Sequence, residues 1–137
     1  MTLFDDPAEF EAMIAGFFRH VAADPSIEPK LLASRIVIRF TYSDPAAVVL
    51  VDCSGDHVAV RPGDVDSPAE AEMSMTADVA HRFWFGQVNL TKAIARREIV
   101  ARGPIPKILK MLPAIRPAYD LYPRYLRDHG YERYLLD

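Results

Sequence analysis

The stretch that decides the fold runs from Ala71 to Leu112 and reads AEMSMTADVAHRFWFGQVNLTKAIARREIVARGPIPKILKML. It opens with Ala71, Met73 and Met75 alternating with polar residues, the two-residue period of a β-strand that buries one face. Thr76 follows as an N-cap residue, so a helix is predicted to begin directly after the strand. A strand that passes into a helix without a spacer indicates an α+β fold built around an apolar surface.

The same stretch carries its own boundary residues. Gly86 is predicted to end the first helix, and Asn89 to cap a second one that reaches Arg96. Alternation resumes at Glu98–Arg102 and stops at Gly103, because the proline that follows cannot donate to a sheet ladder. Beyond it, one apolar helix is predicted from its stripe of Ile105, Ile108, Leu109, Leu112 and Ile115.

In this order and spacing, the elements resemble the sterol carrier protein 2 (SCP2) domain over roughly residues 10–115. The matching residues are Met73-x-Met75-Thr76-Ala77-Asp78, then Phe83, Gly86, Asn89 and Ala93, and finally Ile99-x-Ala101-x-Gly103. The resemblance implies a five-stranded mixed sheet with helices packed on one face. It also implies an apolar tunnel between the two layers that takes sterols, fatty acids or acyl-CoA.

Two residues depart from the pattern of that family. The family usually has glycine where Arg97 stands, and an acidic or similar residue where Pro104 stands. A glycine at the first position suggests a backbone with positive φ, which arginine adopts only at a cost of about 1 kcal/mol or by changing the turn.

Upstream, a helix is predicted to begin at Pro7, with Asp6 as N-cap and Glu9 reaching back in a capping box. Its apolar face consists of Phe10, Met13, Ile14, Phe17, Phe18 and Val21. Strands are predicted at 34–42, at 46–53 and, after a Ser-Gly-Asp hairpin loop, at 57–61. The second of these is apolar on both faces, so we expect it inside the sheet.

The C-terminal part is predicted to be a helical extension over 117–137, appended to a core of about 7–115 in one domain, 1–137. Its helix, Pro117–His129, is expected to break or kink at Pro123, and Tyr131–Asp137 to be loosely attached. The rings of Tyr119, Tyr122 and Tyr125 suit a membrane surface or a partner groove, and equally suit a role in closing the sheet.

Composition limits the function. The 137 residues suit one domain, 50% are hydrophobic, and Cys53 is the single cysteine. No apolar run approaches the roughly twenty residues that cross a bilayer, and the start lacks a signal-peptide pattern, so a cytoplasmic location is expected.

Charge is unevenly distributed. Residues 1–76 hold 13 acids and 5 bases, a net of −8, whereas residues 77–137 hold 6 acids and 11 bases, a net of +5. The basic half could face anionic lipids, CoA phosphates or an acidic partner, or could simply be solvated. Nucleic acid is not an expected partner, because the isoelectric point is about 5.8 and no Arg-aromatic interleaving occurs.

One compact polar cluster, Asp52–His57, invites a catalytic interpretation, since a short hairpin loop would place Cys53 and His57 opposite each other. Asp, Ser and Gly are also what a turn needs, and no orienting group or oxyanion site is evident. The four histidines show no metal-ligand spacing. The sequence therefore predicts neither catalysis nor a metal or cofactor.

The candidate ligand-binding residues are apolar, and they could either line a tunnel or fill an ordinary core. They are Met73, Met75, Phe83, Trp84, Leu90, Ile94, Ile105, Ile108, Leu109 and Leu112. With the resemblance, they favour a non-enzymatic carrier of a sterol, fatty acid, acyl-CoA or similar lipid, opened by motion of the Tyr-bearing C-terminal segment. The alternative is an accessory domain with a filled interior that docks on an enzyme or a membrane through its basic, Tyr-rich half.

Overall fold

The computed structural model describes residues 3–136. The strands are β1 (Val37–Ser43), β2 (Ala47–Asp52), β3 (Ala59–Pro62), β4 (Ala71–Thr76) and β5 (Val100–Arg102). The helices are α1 (Pro7–Ala22), α2 (Glu28–Ser34), α3 (Ala77–Trp84), α4 (Leu90–Ala95), α5 (Ile105–Lys110), α6 (Leu112–Ile115) and α7 (Ala118–Asp128), and a final 3-10 turn spans Glu132–Tyr134.

The five strands form one mixed sheet in the order β3-β2-β1-β4-β5, which confirms the predicted architecture. β1 is central and pairs parallel with β4, while the remaining pairs are antiparallel. In this register Tyr42 of β1 lies opposite Ala47 of β2 and Met75 of β4. Because side chains alternate between the faces of a sheet, Tyr42, Ala47 and Met75 share a face.

That shared face, here called the inner face, is covered by the helices. It carries Ile38, Phe40, Tyr42, Val49, Val51, Ala71, Met73 and Met75. The opposite, outer face carries Arg39 of β1, whose guanidinium contacts the Glu72 carboxylate at 2.9 Å and donates to the carbonyl of Asp64 at 3.3 Å. These bonds hold the β3–β4 connection across the outer face.

The predicted helix starts are confirmed by hydrogen bonds. Side-chain oxygens of Asp6, Thr76 and Asn89 accept from backbone N–H groups two or three residues on, at 3.0, 3.1 and 3.0 Å. Arg97 adopts φ 60°, so the positive φ expected at this position is present with an arginine in place. Glu9 does not close a capping box; its carboxylate instead contacts Arg133 and Tyr134.

The apolar helix predicted after Pro104 is interrupted. α5 ends at Lys110 and α6 begins at Leu112, with a turn at Met111 between them. Pro113 explains the break, because it has no N–H to donate to the carbonyl four residues earlier and its ring crowds that turn. The two short helices therefore replace one straight helix.

The C-terminal segment differs most from its prediction. α7 continues through Pro123 without ending there. Tyr122 and Tyr125 are buried, and their hydroxyls bond His81 Nδ1 at 2.6 Å and the Met13 carbonyl at 2.9 Å. These two rings therefore belong to the core and do not face a membrane or a partner groove.

The segment after α7 is also attached rather than loose. The ring of Tyr134 packs on Phe4 at 4.6 Å between centroids, and its carbonyl bonds His81 Nε2 at 2.7 Å. The expectation of a loose segment is wrong over 131–136, and Asp137 lies outside the described residues. Long-range aromatic contacts, which no local pattern reveals, decide this difference.

Candidate functional site

A cavity of about 100 Å³ lies between the inner face and the helices. Its walls come from the sheet, from α1 to α6 and from the turns between them. The lining residues are Phe18, Val21, Ala22, Leu31, Ile38, Phe40, Tyr42, Val51, Cys53, Val58, Met73, Met75, Ala80, Phe83, Trp84, Leu90, Ile99, Ile108, Met111, Leu112 and Ile115. None of them is charged, so the cavity presents an apolar surface.

The shape of the cavity follows from the strands beneath it. Cys53 lies beside Ile36, whose carbonyl accepts from the Cys53 N–H at 2.9 Å, and Tyr42 is six residues farther along β1. At roughly 3.3 Å per residue, the lining extends for about 20 Å along the sheet. Phe40 in the middle of the central strand is only half-buried, because the helices leave free space above it. A narrow, elongated cavity suits an elongated apolar guest.

The helical walls come from the amphipathic patterns of the sequence. α3 contributes Ala80, Phe83 and Trp84, which share the face that packs toward α1 and the sheet. On the remaining side, the α5–α6 segment contributes Ile108 and the half-buried Met111, Leu112 and Ile115. This wall is built from two short helices joined by the turn at Met111.

The structure brings together seven of the ten residues singled out from sequence. Met73, Met75, Phe83, Trp84, Leu90, Ile108 and Leu112 line the cavity. Ile94, Ile105 and Leu109 do not; Ile94 and Leu109 pack elsewhere against the core as half-buried side chains. Leu109 directly follows Ile108 in α5, so the two side chains point in different directions around the helix.

Sequence reasoning missed the other side of the cavity, which β1, β2, α1 and α2 supply. The alternation of Ile38, Phe40 and Tyr42, and the periodicity of Phe18 and Val21, marked these side chains as buried. Burial alone does not distinguish a core residue from one that borders free space. The signal was present, but its meaning depended on the packing.

Cys53 is the residue that the sequence suggested as a possible nucleophile, and its surroundings make the thiol unreactive. Its side chain is buried in the cavity wall, and burial, with the nearby Asp52 carboxylate, raises the pKa of the thiol to about 11. His57 points away: its side chain is 86% exposed, and Nδ1 lies 3.8 Å from Glu28 Oε1. The prediction that Cys53 and His57 lie opposite each other is therefore wrong. Asp52 and Ala59 are the pair of β2 and β3 residues nearest the loop, so both Cys53 and His57 lie in the loop.

The tyrosine series of α7 lies away from the cavity. Tyr119 contacts the outer sides of Phe83 and Trp84, with centroids 5.8 and 6.3 Å apart, but it does not line the cavity. Tyr122 and Tyr125 are held by the buried hydrogen bonds described above. A movement of α7 would break these bonds, so α7 is a poor lid.

A second, polar cleft of about 260 Å³ lies on the outside of α3 and α4. Arg82, Lys92 and Arg96 line it together with Gln87, Asn89 and Glu98. Within residues 3–136, the ion pairs engage other cations and leave these three unpaired. The positive charge of the second half of the sequence is thus partly concentrated beside the helices that wall the cavity.

Residues 3–136 contain no cluster of three His, Cys, Asp or Glu side chains arranged to hold a metal ion. Among the same residues, no helix combines the length and apolarity needed to cross a membrane.

The chain matches a known protein family. The sequence model of the SCP-2 sterol transfer family matches residues 17–116. This range includes every lining residue of the cavity and both departures at Arg97 and Pro104. No curated protein sequence matches the chain.

Solved structures show the same fold. Sterol carrier protein 2 from Yarrowia lipolytica, in its apo form, is 15% identical with a TM-score of 0.67 over 88% of this chain and 99% of that chain. The sterol carrier protein domain 2 of Helicoverpa armigera is 14% identical, with a TM-score of 0.66 over 87% and 96%. The sec-alkylsulfatase Pisa1 from Pseudomonas sp. is 13% identical, with a TM-score of 0.52 over 60% of this chain and 13% of that chain.

Proposed function

The chain belongs to the SCP-2 sterol transfer family, and on this basis we propose that it binds and transfers a hydrophobic small molecule without altering it chemically. The ligand is a sterol, fatty acid, acyl-CoA or similar lipid, and it occupies the cavity between the inner face and the helices. The observation that supports this proposal is free space bounded by apolar side chains inside an otherwise well-packed fold.

The driving force is transfer of apolar surface out of water. Each buried methylene contributes about 0.8 kcal/mol, so ten of them supply about 8 kcal/mol before ordering costs. Met73, Met75 and Met111 adapt to ligands of different shape because their side chains are unbranched and flexible. Binding is therefore permissive with respect to the shape of the tail.

Entry requires the cavity to widen. Pockets that enclose drug-sized ligands typically measure about 300–1,000 Å³, whereas this cavity measures about 100 Å³. The α5–α6 segment is the wall that moves, since its lining side chains other than Ile108 are half-buried and the break at Met111 separates two short helices. This assignment replaces the Tyr-bearing segment, which buried hydrogen bonds hold in place.

The test is native mass spectrometry of the purified chain before and after organic extraction, followed by lipid titration monitored through Trp84, the single tryptophan. We expect a co-purified lipid and a saturable change in Trp84 emission. Val51 is half-buried on the inner face, so Val51→Phe places a ring in the cavity and should abolish the change in Trp84 emission. Val100→Phe adds the same ring to the outer face, where Val100 is 39% exposed, and should keep it. Equal responses of the two variants would contradict the proposal.

A second candidate function is an accessory domain that docks on an enzyme or a membrane. Two observations favour it: the fold matches a small part of a sulfatase chain, and the cleft of Arg82, Lys92 and Arg96 is cationic. Absence of any bound lipid, together with binding to anionic vesicles that weakens as salt increases, would support this role over transfer.

A further inference from the structure

Tyr42 is held rigidly at one end of the cavity. It is the last inner-face residue of β1, and its side chain is only 3% exposed. Its ring lies edge-on to Phe10 at 5.2 Å and parallel to Phe40 at 6.3 Å, measured between centroids. With a neighbour on two sides, the ring and its hydroxyl have a fixed direction.

The hydroxyl of Tyr42 differs from those of the two other fully buried tyrosines. Tyr122 and Tyr125 each donate to a protein acceptor, at 2.6 and 2.9 Å. Within residues 3–136, no hydrogen bond engages the Tyr42 hydroxyl, and burial is the cause of its raised pKa, although buried polar groups are nearly always paired. The unpaired hydroxyl is therefore an exception that a ligand would satisfy.

The hydroxyl also borders free space. In the described part of the chain, every side-chain oxygen or nitrogen that is fully buried has a hydrogen-bond partner. An unpaired Tyr42 hydroxyl must then contact open volume, and the volume that Tyr42 lines is the cavity. We infer that the hydroxyl borders the ligand space, at the end of the cavity where Tyr42 also lies near Tyr122.

The rest of the lining selects against charge. No Lys, Arg, His, Asp or Glu lines the cavity, so an ionised carboxylate or phosphate placed inside would lose its hydration and gain no counter-ion. Burial raises the pKa of Tyr42, so its hydroxyl stays protonated at neutral pH and can donate to a carbonyl, ester or hydroxyl oxygen. A neutral ligand oxygen therefore finds a hydrogen-bond donor in the Tyr42 hydroxyl, whereas an anionic group finds no counter-ion in the cavity.

We propose that the cavity is selective for uncharged lipids whose oxygen hydrogen-bonds the Tyr42 hydroxyl, and that it discriminates against ionised fatty acids. This inference rests on the proposed function and narrows its ligand class. Tyr42 acts as the specificity-determining residue, while the apolar walls supply affinity without regard to the polar group.

Four ligands with the same twelve-carbon tail test the inference by Trp84 titration of the full chain at pH 8: dodecanol, methyl dodecanoate, bromododecane and dodecanoate. We expect dodecanol and the ester to bind about tenfold or more tightly than dodecanoate, a difference of about 1.4 kcal/mol. Tyr42→Phe should weaken dodecanol and ester binding by about two- to tenfold, the worth of one hydrogen bond. Bromododecane has no such oxygen, so its affinity should be unchanged.

Controls separate the inference from a loss of folding and from failure of the proposed function. Tyr131→Phe removes a half-buried hydroxyl outside the cavity and should preserve all four affinities. Urea unfolding of Tyr42→Phe should resemble that of the parent, because the substitution preserves ring packing. Equal binding of dodecanol and dodecanoate, or no effect of Tyr42→Phe on their ratio, overturns the role of Tyr42 while lipid binding stands. No binding of any ligand overturns both.

Discussion

At the scale of single residues, His81 shows how distant segments meet in one side chain. It is fully buried, with Nε2 2.7 Å from the carbonyl of Tyr134 and Nδ1 2.6 Å from the hydroxyl of Tyr122. A carbonyl only accepts, so Nε2 carries the proton and Nδ1 accepts from the tyrosine. Protonation of Nδ1 would remove this acceptor, so the fold favours the neutral imidazole.

His81 therefore makes stability depend on pH. Burial lowers its pKa in the folded state, whereas the unfolded chain titrates near pH 6.5. Stability from the neutral ring is complete above about pH 6.5. It decreases as pH falls below that value, because the unfolded state takes up a proton that the folded state does not. We expect a lower free energy of unfolding in urea at pH 5.5 than at pH 7.5.

The variant His81→Leu separates this effect from general acid sensitivity. It should be less stable at pH 7.5, since it strands the Tyr122 hydroxyl and the Tyr134 carbonyl, and it should lose less stability between pH 7.5 and 5.5 than the parent. His57→Asn, at a side chain that is 86% exposed, should retain the parental difference. If His81→Leu lost as much stability between pH 7.5 and pH 5.5 as the parent, other titratable groups would control the pH dependence.

At the scale of elements, the junction between β5 and α5 positions the wall that we propose to move. Gly103 joins them with φ 103°, a conformation that side-chain-bearing residues rarely adopt. A Cβ at this position would lie 2.5 Å from the Glu70 carbonyl oxygen and 3.0 Å from the Ala71 Cα, both backbone atoms at the start of β4. Glycine is required here both by conformation and by space.

Gly103→Ala should therefore destabilise the fold by about 2 kcal/mol or more, since strain and a backbone clash act together. The matched control is Gly130→Ala, at φ 81° with nothing within 4 Å of the added Cβ, which should cost only about 1 kcal/mol. Urea unfolding of both variants measures the difference. Equal losses would mean that β4 shifts to accommodate the methyl group.

At the scale of the whole molecule, the two ends of the described chain close on each other. Phe4 packs against the rings of Phe10, His81 and Tyr134, at 4.8, 5.1 and 4.6 Å between centroids. Glu9 of α1 contacts Arg133 and Tyr134, and these bonds lower the pKa of its carboxyl. The terminal segments thus complete the core on the side of α3 away from the cavity.

Truncation after Gly130 tests this closure. Loss of Tyr134 and Leu135 uncovers Phe4 and removes the acceptor of His81 Nε2, so the free energy of unfolding should fall by about 2–4 kcal/mol. Thermal and urea unfolding measure it. Arg133→Gln removes an exposed ion pair with Glu9 and an exposed contact with the Tyr134 ring, while the Phe4 and His81 contacts of Tyr134 remain, so it should have little effect. If the truncated chain were as stable as the parent, the segment after Gly130 would be loosely attached, as expected from the sequence.

Local chemistry made much of the fold predictable. The capping side chains of Asp6, Thr76 and Asn89 act on groups two or three residues away, so their helix starts were readable from the chain. The five strands were readable for the same reason. The positive φ at Arg97 was expected from the family resemblance, since the family usually has glycine there. Seven of the ten residues singled out from the sequence line the cavity, because the apolar residues of a buried strand or helix face recur with a regular period.

The sequence by itself determined which segments become strands and helices and which of their faces are apolar, since those properties depend on neighbours within one or two turns. Only the tertiary structure decided where the apolar faces leave space, that Tyr42 ends in that space without a partner, and that His81 joins α7 to the final turn. These features depend on contacts between residues dozens of positions apart. Such contacts are chosen by the packing of all elements at once, and no local pattern encodes them.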